Sequence, residues 1–305
     1  MKFLISGGAG FLGSHLIEHL DGEITVVDDL STSKYELPKK KVRFIRQKIE
    51  NFSTDEKFDY VIHLAARPSP EDYTQHPVET ALSNSIGTYN MLEIARKSDA
   101  VFLYTSSSEV YGHAEIIPTP EDYWGKVNPI GIRSCYDESK RFSEALIMAY
   151  YREYGLDVRI QRPFNVYGPR LREDGSYGRV ISRFIYQALK GEDLTVFGDG
   201  NQTRAFLYVD DWVEATLKML FTKGLKGEVI NVGSDKETKI IDLANLIIKL
   251  TGSKSKIKFL PPRPDDPPRR AADISKAKKL LNWEPKTPLE EGLKKTIDWF
   301  KGVIK

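Results

Sequence analysis

Short apolar runs recur through the first two-thirds of the chain, separated by longer stretches with helical spacing. MKFLISG, EITVVDD, VRFIRQ, YVIHLAA, AVFLYTSS and VRIQRPFN are the runs. They are apolar throughout rather than alternating, as expected of strands covered on both faces. Helical stretches between them predict a parallel sheet built from βαβ units. Residues 138–154 read as a helix with Phe142, Leu146 and Ala149 on one face. The texture changes after Gly168-Pro169. Residues 170–204 are rich in Arg, Gly and Asp, broken by one helical piece at 180–190. A helix over 206–221, a strand over 227–233 (GEVINVG) and a helix over 237–252 follow. FLPPRPDDPPRR is too Pro-rich for regular structure and reads as a loop. A last helical region spans 274–300, and no internal repeat or low-complexity tail is visible.

Composition narrows the function classes. The chain has 305 residues, with 45 Lys+Arg against 43 Asp+Glu, for a net charge of +2. Such a balance argues against a nucleic-acid binder, which would carry a basic stripe. No apolar run approaches the roughly 20 residues of a membrane span. The first residues lead into a strand pattern without a basic n-region or cleavage site, so the expected location is cytoplasmic. One cysteine, Cys135, excludes an internal disulfide framework and a cysteine-based zinc site, and no metal site is expected.

GGAGFLG, residues 7–13, follows the first run and precedes a helical stretch. Gly7, Gly10 and Gly13 permit a tight turn, close approach of backbone to a pyrophosphate, and close helix–strand packing. Phe11 and Leu12 open the helix whose free N–H groups would face that anion. A glycine motif alone is often only a turn. Here an acid, Asp28, ends the second strand 21 residues after Gly7. Its carboxylate suits an adenosine ribose and would repel a 2′-phosphate, so NAD is favoured over NADP. The predicted fold class is α/β, a Rossmann-type doubly wound parallel sheet.

Tyr136 and Lys140, in CYDESK, are four apart and share a helix face. An ammonium beside a phenol lowers the tyrosine pKa toward working pH, giving a base for a sugar hydroxyl. The pair alone is common surface decoration. It gains weight from the upstream phosphate loop and from TSSSEVYG, residues 105–112, at the carboxyl end of a predicted parallel strand, where doubly wound sheets place ligands.

These residues, with HLAA, RPFNVYGPR, GNQTRAFLYVDD, NVGS and LNWEP, make the chain resemble the extended short-chain dehydrogenase/reductases that act on nucleotide sugars, over essentially its whole length. The stretch EDYWGKVNPIGIRSCYDESKR most resembles the branch that decarboxylates UDP-glucuronate. The resemblance implies bound NAD, a UDP-sugar substrate, and a smaller C-terminal α/β substrate-binding domain. It divides the chain into an NAD domain (1–165, with about 205–233 returning) and a nucleotide-sugar domain (166–204 and 234–305). It implies cofactor contacts from Leu30, Leu64, Ala65, Ala66, Asn84, Ser106 and Pro163, besides the glycine loop, Asp28, Tyr136 and Lys140. Ser107 matches the position that hydrogen-bonds the oxidised sugar hydroxyl. Ser108 and Glu109 follow it, where 4,6-dehydratases carry Asp-Glu and many 4-epimerases carry small residues. Tyr136, Lys140 and Ser107 would oxidise carbon 4, leaving the glucuronate carboxylate β to a ketone. Ser108 would orient that carboxylate, and Glu109 and Arg270 would position it and deliver the proton to carbon 5. Asn165, Arg179, Phe197, Gln202, Arg204 and Arg270 match substrate-binding positions.

Departures from the family pattern are few. Lys48 stands where an adenine-contacting acid is usual, Arg67 follows the double alanine, and Arg270-Ala271-Ala272-Asp273 replaces Arg-Lys-Pro-Asp. His63, Trp212, Trp283 and Trp299 read as structural. A UDP-glucose 4-epimerase is the nearest alternative, and a non-catalytic NAD sensor a more distant one. The resemblance further implies a homodimer joined by a four-helix bundle, with residues 84–98 and 138–154 as the candidate helices.

Overall fold

A computed structural model of the protein describes residues 1–34, 37, 40–172, 179–263 and 266–304. The first half runs β1 (Lys2–Ser6), α1 (Phe11–Glu18), β2 (Glu23–Asp28), β3 (Arg43–Arg46), β4 (Tyr60–His63), α2 (Pro70–Gln75), α3 (Pro77–Ser98), β5 (Val101–Thr105), α4 (Ser134–Tyr154) and β6 (Val158–Pro163). The second half runs β7 (Val166–Tyr167), α5 (Val180–Lys190), β8 (Leu194–Phe197), β9 (Thr203–Ala205), β10 (Leu207–Tyr208), α6 (Val209–Phe221), β11 (Glu228–Val232), β12 (Glu237–Lys239), α7 (Ile240–Thr251), β13 (Ile257–Leu260), β14 (Arg269–Arg270), α8 (Ser275–Leu281) and α9 (Leu289–Val303).

Among the described residues, seven strands form one parallel sheet in the order β11-β6-β5-β4-β1-β2-β3. Strand order reverses between β1 and β4, so the crevice beyond their carboxyl ends is the switch point where such sheets hold ligands. Both faces of the sheet are covered. Phe3 and Ile5 of β1 enter one core with α1 and α6, while Leu4 between them enters the other with Met91 and Leu92 of α3. That double burial is why the strands read as unbroken apolar runs.

The small sheets outside the seven-stranded one, with the helices α5, α7 and α9 around them, form a second lobe that shares this core through Phe184, Leu243 and Phe300. Its small sheets carry the arginines. β9 lies between antiparallel β12 and parallel β14, and the register sets Arg270 opposite Arg204.

Several boundaries differ from the sequence expectation. Residues 237–239 are strand, held by pairing to β9, and the helix starts at Ile240. Residues 207–208 likewise pair with β7 before α6 begins at Val209. The last helical region is two helices, because Asn282 turns left-handed (φ 46°) and ends α8. Parts of two expected loops, 173–178 and 264–265, lie outside the described residues. The largest correction concerns α4. It begins at Ser134, and its buried side is Tyr136, Lys140, Ser143, Ile147 and Tyr150. Of the apolar face read above, Phe142 is 52% exposed and Ala149 is also exposed, so that face is not the one turned to the core.

Candidate active site

The glycine loop is shaped by contacts that exclude side chains. Gly7 has φ 71°, and a Cβ there would stand 2.5 Å from the Ala65 amide nitrogen. A Cβ on Gly13 would stand 2.6 Å from the Gly7 carbonyl oxygen. The loop therefore lies flat against the β4 end, and α1 starts at Phe11 with its first N–H groups free of intrahelical partners. Asp28 accepts from the Ala9 amide (3.0 Å) through one oxygen and from the Leu30 amide (2.8 Å) through the other. Burial pushes its carboxyl up against those two bonds. A flat glycine cradle, a helix N-terminus and a half-buried ribose-facing acid fit a dinucleotide, with Gly7, Gly10, Gly13 and Asp28 as the residues that would hold it.

One cleft of about 370 Å³ runs from Gly7 and Asp28 to Arg204 and Arg270. Every site residue expected from the sequence lines it except Leu30 and Asn84. Leu30 contributes a backbone amide to Asp28 instead. Asn84 is wholly buried and donates to Ser139 Oγ (2.9 Å), so it joins α3 to α4 rather than facing the cleft.

Tyr136 sits in the first turn of α4, stacked on Tyr73 with centroids 5.2 Å apart. Burial pushes its phenol up to about 12, while a hydrogen bond with Ser107 and the Arg179 guanidinium pull it down. Lys140 is buried at the end of β5. Its ammonium donates to the Thr105 carbonyl (2.9 Å) and lies 4.7 Å from the Tyr104 ring centroid and 5.9 Å from that of Tyr136. Burial pushes Lys140 itself down to about 7. The guanidinium acting on the Tyr136 phenol is that of Arg179, at the start of α5.

The serine cluster caps a short turn over residues 108–111, with Ser107 Oγ accepting from the Glu109 amide (3.3 Å). Ser106 donates to Glu144, which a bidentate ion pair ties to Arg162. Ser108 is buried beside them. Glu109 lies between two guanidiniums: Arg270 engages both its oxygens and Arg133 one. Burial would push Glu109 up, but Arg270 and Arg133 outweigh it and hold the carboxyl down to about 2. An acid so placed is ionised at neutral pH.

The far end of the cleft belongs to the second lobe. Arg204 is paired with Asp266 (2.7 Å). Asn165, left-handed at φ 42°, donates to the Ala205 carbonyl (3.0 Å). Gln202 donates to the Phe197 carbonyl (2.7 Å). The Phe197 ring carries Arg263 at 4.2 Å and Arg183 at 5.1 Å. Arg263 also pairs with Glu71 of α2, joining the two lobes across the cleft. Arg133, Arg183, Arg263 and Tyr73 were not singled out from the sequence. A lone arginine among 45 basic residues carries no local signal, and only the placement of Arg133 three residues before Tyr136 hinted at it.

The remaining candidates are engaged by neighbouring side chains or by the core, and Arg67 and Lys48 also line the cleft. Arg67 is held by Asp72 (2.8 Å) and Glu79 (2.8 Å). Lys48 lines the cleft and pairs with Glu79 at 3.4 Å. His63 is buried between Ser6 and Thr88, and burial pushes it down to about 3. Trp212 and Trp283 are core residues. Among the described residues no helix is long and apolar enough to cross a membrane.

A nucleotide-holding Rossmann sheet with a tyrosine–serine pair at its switch point defines a dinucleotide-dependent enzyme. Residues 3–233 match the NAD dependent epimerase/dehydratase family, and the chain belongs to it. NAD is accordingly its cofactor. Among curated relatives, UDP-glucuronic acid decarboxylase 1 of Danio rerio is 46% identical over 98% of this chain and 72% of that protein. UDP-glucuronic acid decarboxylase 3 of Arabidopsis thaliana is 46% identical over 96% and 87%. Among solved structures, UDP-glucose 4-epimerase of Thermotoga maritima, with UDP-glucose, superposes with a TM-score of 0.92 at 34% identity over 100% of both chains. UDP-glucuronic acid 4-epimerase of Bacillus cereus, in complex with UDP-glucuronic acid and NAD, gives 0.89 at 31% identity over 99% and 100%.

Proposed function

We propose that the protein decarboxylates UDP-glucuronate to UDP-xylose through a 4-keto sugar. The observation that carries this reading is the sequence Ser107-Ser108-Glu109 beside Tyr136, with Glu109 locked between Arg270 and Arg133. A dehydratase needs an acid where Ser108 stands, and the paired guanidiniums favour a sugar that carries a carboxylate. Relatives of 42–46% identity that bear the decarboxylase name support the reading.

Tyr136, acting as the phenolate that Ser107 and the Arg179 guanidinium favour, takes the proton of the carbon-4 hydroxyl. Bound NAD supplies the acceptor for the carbon-4 hydride and returns that hydride at the end. The carboxylate of the resulting β-keto acid leaves as carbon dioxide, and its bonding pair moves into the enolate. Tyr136 and Ser107 hold the enolate oxygen. A proton then reaches carbon 5, and Tyr136 returns its proton to the carbon-4 oxygen. Arg179 and Arg204 receive the diphosphate, for which guanidiniums are geometrically suited, and Phe197 offers a face to the base.

The same proposal includes a homodimer. Val78, Leu82, Ile86 and Tyr89 form an exposed stripe on α3, and Phe142 is exposed on the neighbouring α4. Spacing of three and four keeps that stripe on one helix face, and two copies would bury it as a four-helix bundle. The residues expected for this face were 84–98 and 138–154; the exposed stripe begins earlier, at Val78. Leu82→Glu should convert a dimeric sedimentation profile to a monomeric one, and a wild-type monomer would remove this part of the proposal. A cytoplasmic location belongs to the proposal as well.

The test of function is incubation of the NAD-loaded protein with UDP-glucuronate, UDP-glucose and UDP-galactose in turn, with products separated. UDP-xylose from the first supports the reading. Interconversion of the other two without decarboxylation overturns it.

A further inference from the structure

Arg133 is in an unfavourable place for a cation. It is the N-cap residue of the 21-residue helix α4, and its side chain makes no capping bond. The positive end of a helix dipole disfavours a guanidinium there. Arg133 is nevertheless largely buried, with only 16% of its side chain exposed, and it lines the cleft. A residue kept against local preference points to a role in the site.

Charge at this place is not fully matched. Arg133 and Arg270 share the single carboxylate of Glu109. Each guanidinium carries several N–H donors, more than two carboxylate oxygens can accept. The next acid, Asp137, lies 3.8 Å from Arg133 Nε, beyond hydrogen-bond reach. One Asp137 oxygen is buried without any hydrogen-bond partner. Burial and the neighbouring Glu109 push Asp137 up to about 7, against the pull of Arg133 and Arg270, so it is an incomplete counter-ion. Arg204 is already engaged by Asp266.

Location gives the missing anion its identity. Ser107 and Tyr136 mark where the carbon-4 oxygen is held. Glu109 is two residues beyond Ser107, and Arg133 three before Tyr136. A substituent on carbon 5, adjacent to carbon 4, would reach the part of the cleft that Arg133, Glu109 and Arg270 line. We propose that Arg133 is a specificity residue which, together with Arg270, receives the carboxylate on carbon 5 of the sugar, with Glu109 spacing the two guanidiniums. This rests on the proposed carboxylate-bearing substrate. The receptor brings the substrate anion close to Glu109, so it selects for a carboxylate only through the paired guanidiniums. Arg133 is then what separates UDP-glucuronate from a neutral UDP-hexose.

The experiment is calorimetric binding of UDP-glucuronate, UDP-glucose and UDP to NAD-loaded wild type, Arg133→Gln and Arg133→Lys. Arg133→Gln is expected to weaken UDP-glucuronate by about 10- to 100-fold and leave UDP-glucose and UDP unchanged. Arg133→Lys, which keeps the charge without the fork, should recover part of the loss. Equal losses on all three ligands, or no loss on any, overturn the proposal. If Arg133→Gln does not fold, Arg133→Lys decides by the same comparison: a loss confined to UDP-glucuronate supports it, and a uniform loss or none overturns it. Carbon dioxide release by the wild type is scored separately. A wild type that binds UDP-glucuronate without releasing carbon dioxide removes the decarboxylase reading and leaves the Arg133 result to stand or fall alone.

Discussion

The two ends of the cleft are built by different means. At the cofactor end, recognition comes from backbone and from the absence of side chains: Gly7 and Gly13 sit where a Cβ would lie 2.5–2.6 Å from other backbone atoms. Contacts there arise mostly within one βαβ unit, from β1 through Asp28 at the end of β2, with the end of β4 packed against Gly7. At the sugar end, recognition is a set of long, charged side chains from separated segments, with Glu109 meeting Arg270 across 161 positions and Arg263 meeting Glu71 across 192. The first end is built for a dinucleotide, with Asp28 placed to favour one without a 2′-phosphate. The second is assembled by the folding of both lobes, and it is where a substrate is chosen. A family can therefore keep one end while changing chemistry at the other.

The largest expected effect lies where the two ends meet. Tyr136→Phe removes the hydroxyl proposed to transfer the proton, and turnover should fall by about 10²–10⁴-fold while NAD binding persists. Product assays with cofactor-retention measurements check it, and loss of both together would merge the two ends. Glu109→Gln comes next. It removes the carboxylate that Arg270 and Arg133 share, leaving Arg133 only the more distant Asp137, at a cost of about 3–5 kcal/mol. The folded carboxyl is held at about 2 against an ordinary 4.5. A depressed acid contributes stability that is full above about pH 4.5 and is lost as pH falls toward 2. Thermal midpoints of wild type and Glu109→Gln should thus differ most at neutral pH and converge through that acid window.

Gly13→Ala tests the other end. The new Cβ would lie 2.6 Å from Gly7 O, and the strain should cost about 1–3 kcal/mol. NAD affinity, read by fluorescence titration, should weaken by about tenfold or more, with UDP binding unchanged. Arg263→Ala is the mildest. It removes the contact at 4.2 Å on Phe197 and the bridge to Glu71. Steady-state kinetics should show KM raised by an amount worth about 0.5–2 kcal/mol with kcat unchanged.

How much of this was legible in the sequence follows the same division. The glycine loop, Asp28 and the strands were readable because their signals are contiguous and each strand is buried on both faces. The buried side of α4 was misread because Phe142 and Ala149 are apolar yet face outward, beside the exposed stripe on α3. Periodicity reports an apolar stripe, and here the apolar stripe was not the core stripe. Asn282 ended α8 with a single left-handed residue inside an otherwise helical pattern. Strand β12 is three residues that only their partner β9 makes a strand. Arg133 and Arg263 looked like any surface arginine, because their meaning depends on carboxylates far away in the chain. Lys140 was placed correctly in the cleft, but its effect on Tyr136 depended on where the ammonium points, which spacing alone does not fix.

The most direct test is a one-pot balance on UDP-glucuronate labelled in its carboxylate carbon. With the NAD-loaded protein, labelled carbon dioxide should appear in one-to-one proportion with UDP-xylose, without net consumption of NAD. Conversion to UDP-galacturonate with the label retained would contradict the account and make the protein a 4-epimerase.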